Sequence, residues 1–113
     1  MYPADQQPFE PLVNSSSPSF NSSALGTTSV NYALESTALN RVWQGPSSRS
    51  IRLNTLGSSS FYFQLGSSTV AAGSTDSVLV TGSVIIGVQP KQTYIAVMSS
   101  TSTVVNVTLG VGR

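Results

Sequence analysis

The chain has 113 residues and a formal net charge of +1, with five basic and four acidic side chains making up 8% of the sequence against a usual ~25%. So even a balance offers no basic stripe for nucleic acid or an anionic membrane surface. It has no cysteine and no histidine, which excludes a disulfide framework or thiolate metal site and removes the commonest general base.

A chain of this length forms one domain and buries roughly two-thirds of its unfolded surface. Ser and Thr supply 33 residues and apolar types 39%, so the composition is that of a folded domain with a hydroxylated surface, not of a disordered chain. Sparse charge suits a subunit of a repeated assembly, where every like charge recurs across each symmetry axis.

Residues 1–28 read as an extended arm. Pro3, Pro8, Pro11 and Pro18 favour extended backbone and push the residues before them away from helix. The arm's apolar residues follow neither strand nor helix periodicity. Tyr2, Phe9, Leu12 and Phe20 therefore read as separate anchors for a partner. Fully extended, the arm reaches on the order of 90 Å. Met1–Gln7 lacks the basic and apolar regions of a secretory signal, which implies synthesis in the cytoplasm.

Residues 29–113 read as an all-β domain, a single antiparallel sandwich or barrel of about seven or eight strands. Short β-rich runs alternate with Gly, Ser, Asn and Pro punctuation at roughly 8 to 14 residue intervals. Strands are expected over 29–34, 38–43, 49–54, 60–65, 77–81, 84–88, 93–98 and 103–109. The stretch 32–40, with Ala33, Leu34, Glu35, Ala38 and Leu39, is also compatible with a helix. Alternation places Ile51, Leu53, Phe61, Phe63, Leu65, Val78, Val80, Ile86, Val105 and Val107 on the core face. Thr81-Gly82-Ser83 and 56–59 read as hairpin connections, and Gly45-Pro46 as a turn.

Little in the sequence points to catalysis. The acids are Asp5, Glu10, Glu35 and Asp76, with no spacing that pairs two on one rigid element, so no catalytic residue, metal site or cofactor is assigned. Asp76, in Ser74-Thr75-Asp76-Ser77, reads as a turn residue bonding local amides. Arg41, Arg49 and Arg52 near Trp43 and Phe61-Tyr62-Phe63 resemble a single-strand binding platform, but Phe61 and Phe63 share the core face. Trp43 with Tyr62 is the one candidate sugar platform. Asn14, Asn21 and Asn106 fall in N-x-Ser/Thr patterns and are expected to be unglycosylated. The longest apolar runs, such as Val84–Val88, fall far short of the ~20 residues that span a bilayer.

The order of Ile51-Arg52-Leu53-Asn54, Phe61-Tyr62-Phe63-Gln64-Leu65-Gly66, Thr69-Val70-Ala71-Ala72, Asp76-Ser77-Val78-Leu79-Val80, Tyr94-Ile95-Ala96-Val97-Met98 and Val107-Thr108-Leu109-Gly110-Val111-Gly112 resembles a group of small virion proteins of tailed bacteriophages. The likeness runs from about Arg41 to Arg113, about two-thirds of the chain. Tyr94 stands where members of the group often carry His. The resemblance implies a capsid decoration or cement protein on the virion surface, a homotrimer bound to the major capsid protein. A neck, tail or fibre component and a carbohydrate-binding sandwich are the other readings.

Overall fold

The computed structural model describes residues 9–12, 17–43, 49–55 and 59–112. They form nine strands: β1 (Glu10–Pro11), β2 (Ser19–Asn21), β3 (Val30–Ala33), β4 (Arg49–Thr55), β5 (Ser60–Gly66), β6 (Val78–Thr81), β7 (Ser83–Gly87), β8 (Tyr94–Met98) and β9 (Val105–Val111). All pairings are antiparallel. One sheet has the order β1-β9-β4-β7, with β2 beside β1 on the same edge of β9, and the other the order β3-β8-β5-β6.

The pairs β2·β9, β3·β8, β4·β7 and β5·β6 nest inside one another like the rungs of a single long hairpin. Rolling that hairpin up adds the β4·β9 and β5·β8 contacts and closes two four-stranded layers. This is the connectivity of a jelly roll, the eight-stranded double-sheet sandwich. β1 is a two-residue addition to it.

The period-two pattern fills the space between the sheets. In the first sheet Phe20, Val107, Leu53 and Val84 align as one inward row, and Leu109, Ile51 and Ile86 as the next. In the second, Tyr32, Ile95 and Leu65 face them, followed by Val30, Val97, Phe63 and Val78. Ile51, Leu53, Phe61, Ile95, Val105 and Leu109 are fully buried.

Several expectations are corrected here. Val78 points to the core side but is 57% exposed, because it ends its row at the sheet edge with no strand beyond it. Ile86 is half-buried on the edge strand β7, and Leu65 is half-buried because the β6 pairing ends at Phe63–Val78 and leaves its outer side without a neighbour. The stretch 38–43 is not a strand, and 32–40 is not a helix. Instead β3 is followed by an exposed turn at Thr37–Asn40, closed by paired backbone bonds between Ser36 and Arg41 and turned by Asn40 at φ 50°. Its purpose is served by the ends, since Leu34 and Trp43 are both buried. Thr81-Gly82-Ser83 is not a hairpin either. It carries the chain from one sheet to the other, with Gly82 at φ 84°, a left-handed value at which a side chain is strained. Gly45-Pro46 and residues 56–58 lie outside the described residues.

Candidate functional site

Each sheet of the sandwich has an inner face, an outer face and two edges, and the four outward surfaces differ in what covers them. The outer face of the second sheet is taken up by the excursion between β5 and β6. Ala96 and Met98 on β8 form a small second core with Ala72, against which Tyr62 and Val70 pack. Asn31 Nδ2 donates to the Ser68 carbonyl at 2.7 Å, and the Ala72 amide donates to Ser29 Oγ at 2.8 Å. Asp76 sits in the turn that ends this excursion, 3.4 Å from Ser77 Oγ, while Ser77 Oγ also donates to Gln64 Oε1 at 3.0 Å. Asp76 is thus a turn residue as expected, but the local amide of Gly73 donates to Ser77 Oγ at 2.9 Å instead of to its carboxylate.

On the side where β2 and β3 are the outermost strands, the chain's own N-terminal residues pair along β9. The Leu12 amide donates to the Leu109 carbonyl at 3.1 Å, the Ser22 amide to Val105 at 2.8 Å, and the Leu25 amide to Thr103 at 2.8 Å. Leu12 and Leu25 are buried, and Phe20 packs on the core with its ring 5.8 Å from that of Tyr32. Of the four residues read as partner anchors, Leu12 and Phe20 therefore turn onto the chain's own sheets. Phe9 lies on the outer face of the first sheet, near Arg52 (5.8 Å to the ring centre), where the missing side chain of Gly110 leaves room for it. Tyr2 lies outside the described residues.

That outer face of the first sheet is mostly polar, with Asn21, Arg52 and Asn54 exposed and Ser50 and Thr108 buried. Asn21, Asn106, Asn54 and Ser83 form one cross-strand row, and Ser19, Thr108, Arg52 and Ile85 the next. Asn106 Nδ2 donates to Asn21 Oδ1 at 2.9 Å, and Thr108 Oγ1 donates to Asn106 Oδ1 at 2.9 Å. The two amides orient one another, and Asn21 is exposed.

The opposite edge, where β6 and β7 are joined through Gly82, has no strand beyond it in either sheet. Val78, Leu79 and Ile85 are 57%, 55% and 41% exposed, three of the five large apolar side chains that are exposed among the described residues. From Ser77 to Val88 there is neither a charge nor a proline. Native edges are usually guarded by Lys, Pro or a bulge. The sequence alternation singles out this stretch as strand, but gives no sign that its two strands are both edges.

The aromatic and basic residues singled out in the sequence do not converge. Trp43 is buried, its Nε1 donating to the Gly110 carbonyl at 2.7 Å, while Tyr62 lies on the far sheet, so they make no joint sugar platform. Arg49 lies 4.0 Å from Glu35 and beside the Trp43 ring, Arg41 is buried over Phe20, and Arg52 is exposed. Glu35 Oε2 accepts the Trp43 amide at 2.9 Å, which makes it a clamp on the segment after β3. Among the described residues no three His, Cys, Asp or Glu side chains gather as a metal site. In comparisons with known proteins, no family model matches the chain, and neither does any curated protein or solved structure.

Proposed function

We propose that this chain is a non-enzymatic virion structural protein, a capsid decoration or cement subunit that binds the major capsid protein lattice, as a homotrimer, at the capsid surface. The observation that carries the reading is the unguarded β6–β7 edge with Val78, Leu79 and Ile85 exposed on it. Its open backbone groups and apolar side chains suit strand-edge or side-chain docking on a protein surface. The jelly-roll order adds a likeness of architecture with viral capsid domains, which is an association of fold and not of function.

The magnitudes favour a repeated contact. Full burial of one such side chain contributes about 1.5 to 3 kcal/mol, and these three begin roughly half-buried, so together they offer on the order of 2 to 4 kcal/mol. A micromolar complex needs about 8 kcal/mol. A symmetric subunit presenting several copies of the edge reaches firm attachment through effective concentration, without any stronger single contact. The test is occupancy of undecorated capsids by wild type and by a V78S/L79S/I85S variant whose fold is checked by circular dichroism. Loss of occupancy is expected; full occupancy by the folded variant would remove this edge from the attachment surface. Copy number per particle distinguishes the capsid from the neck, tail or fibre, with hundreds expected for a cement subunit.

One observation favours a second reading. The bonded Asn21–Asn106 pair, with Arg52 and Phe9 on the same face, brings amide and guanidinium groups beside an aromatic ring, the chemistry that recognises a polyhydroxylated sugar. A glycan array with wild type and an N54A/N106A variant separates the two, since the cement reading expects no binding that depends on these residues.

A further inference from the structure

Arg41 is the buried arginine among the described residues, and no carboxylate meets its charge there. The residue is buried, with 6% of its surface exposed. Its Nε donates to the Leu34 carbonyl at 3.0 Å, and its guanidinium carbon stands 4.4 Å from the centre of the Phe20 ring. Nη1 is buried and has no acceptor. Of the described acids, Glu35 directs one oxygen to the Trp43 amide and the other towards Arg49, Glu10 lies on β1 with its side chain exposed, and Asp76 lies in the turn before β6.

Burial pushes the Arg41 pKa down through desolvation, yet an arginine remains protonated at any ordinary pH. A buried cation with an unused N–H group is costly unless an anion or further acceptors meet it. The face of Phe20 recovers part of that cost and the Leu34 carbonyl another part, but neither supplies a negative charge. The guanidinium is also well oriented. The Nε bond and the ring fix its plane, and the paired backbone bonds of Ser36 and Arg41 fix its root. A guanidinium held in one plane with Nη1 buried and unspent is pre-organised to donate to a carboxylate oxygen.

We infer that Arg41 is a carboxylate receptor, which takes an Asp or Glu side chain, or a chain-terminal carboxylate, from another protein docking at the β2–β3 side of the sandwich. The carboxylate reaches Nη1 by displacing the exposed Thr37–Asn40 turn, which stands next to Arg41 in sequence and is held at its base by the Ser36–Arg41 pairing. The site is separate from the β6–β7 edge, and the inference does not depend on the capsid reading.

Sodium acetate serves as the probe, titrated into the 15N-labelled full chain against sodium chloride at constant ionic strength, with the arginine Nε–H signals as the readout. The expected result is a saturating shift of the Arg41 signal in acetate only, with the exposed Arg52 drifting equally in both salts. In R41K, whose charge is kept and whose fork is lost, the backbone amides of residues 34–36 should no longer show the saturating response. An Arg41 signal that moves no more than that of Arg52 would overturn the inference. A D5N variant tests the chain's own remaining acid. If saturation appears only in D5N, the carboxylate is Asp5 of the same molecule and the intermolecular assignment falls.

Discussion

Trp43 shows how one side chain joins two distant parts of this fold. Its indole N–H is spent on the Gly110 carbonyl, 67 positions away, and its ring is sealed from water. Replacing it with Phe keeps most of the apolar volume but leaves a buried carbonyl without its donor, a loss of about 1 to 3 kcal/mol. Urea unfolding of W43F should show a lower midpoint with an unchanged slope. Gly110 itself is constrained from the other side, because a Cβ there would lie 2.6 Å from the Phe9 ring and would also collide with the Glu10 carbonyl. G110A should therefore lift β1 off β9 while the core stays intact, seen as faster amide exchange at residues 9–12 with little change in the core strands. Neither relation is legible in the sequence. Trp43 has the composition of an exposed sugar platform as readily as that of a core residue, and only the Gly110 register, set by tertiary pairing, decides between them.

At the scale of the strand, β6 separates pattern from position. Val78 and Val80 occupy equivalent alternating places, yet Val80 is 7% exposed and Val78 57%. V80T should cost more than about 1 kcal/mol, since a hydroxyl enters an apolar site, whereas V78T should fall within about 0.5 kcal/mol of wild type. Paired denaturation curves would check this, and equal losses would mean that Val78 is covered in the folded protein. Alternation was enough to read β4, β5 and β9 and the core face of most residues on them, because two adjacent strand faces differ in water exposure, whereas β8 is buried on both faces and shows no alternation. It could not reveal which strands end a sheet. The nested pairing joins Glu10 to Val111 and Asn21 to Asn106, contacts across most of the chain for which no local signal exists. The N-terminal segment was opaque for a different reason: its prolines break periodicity, so Leu12 and Leu25 look unplaced although each fills the chain's own core. Burial of those two contributes roughly 3 to 6 kcal/mol, a large part of the 5 to 15 kcal/mol that holds a typical domain together. Removing residues 1–28 should consequently give a marginal, aggregation-prone protein with β9 laid open as a new edge, seen as a lower urea midpoint than that of the full chain.

For the whole molecule, the scarcity of charge makes a prediction about how it associates. With five basic and four acidic residues in all, and none from Ser77 to Val88, contact through the β6–β7 edge would bring almost no counter-ions into play. An electrostatic contact weakens as salt shortens the screening length from about 10 Å at 0.1 M to about 3 Å at 1 M. An apolar one is indifferent to sodium chloride over that range and is strengthened by sulfate, which is excluded from protein surface. Burial of Val78, Leu79 and Ile85 should further appear as a negative heat-capacity change of association. Self-association or capsid binding followed by sedimentation in chloride and sulfate, with calorimetry at several temperatures, tests all three together. Release by sodium chloride would mean that the few charges govern assembly, and the Arg41 carboxylate contact would then be the first place to look for them. Persistence in chloride with tighter binding in sulfate would leave the open edge as the surface on which the molecule assembles.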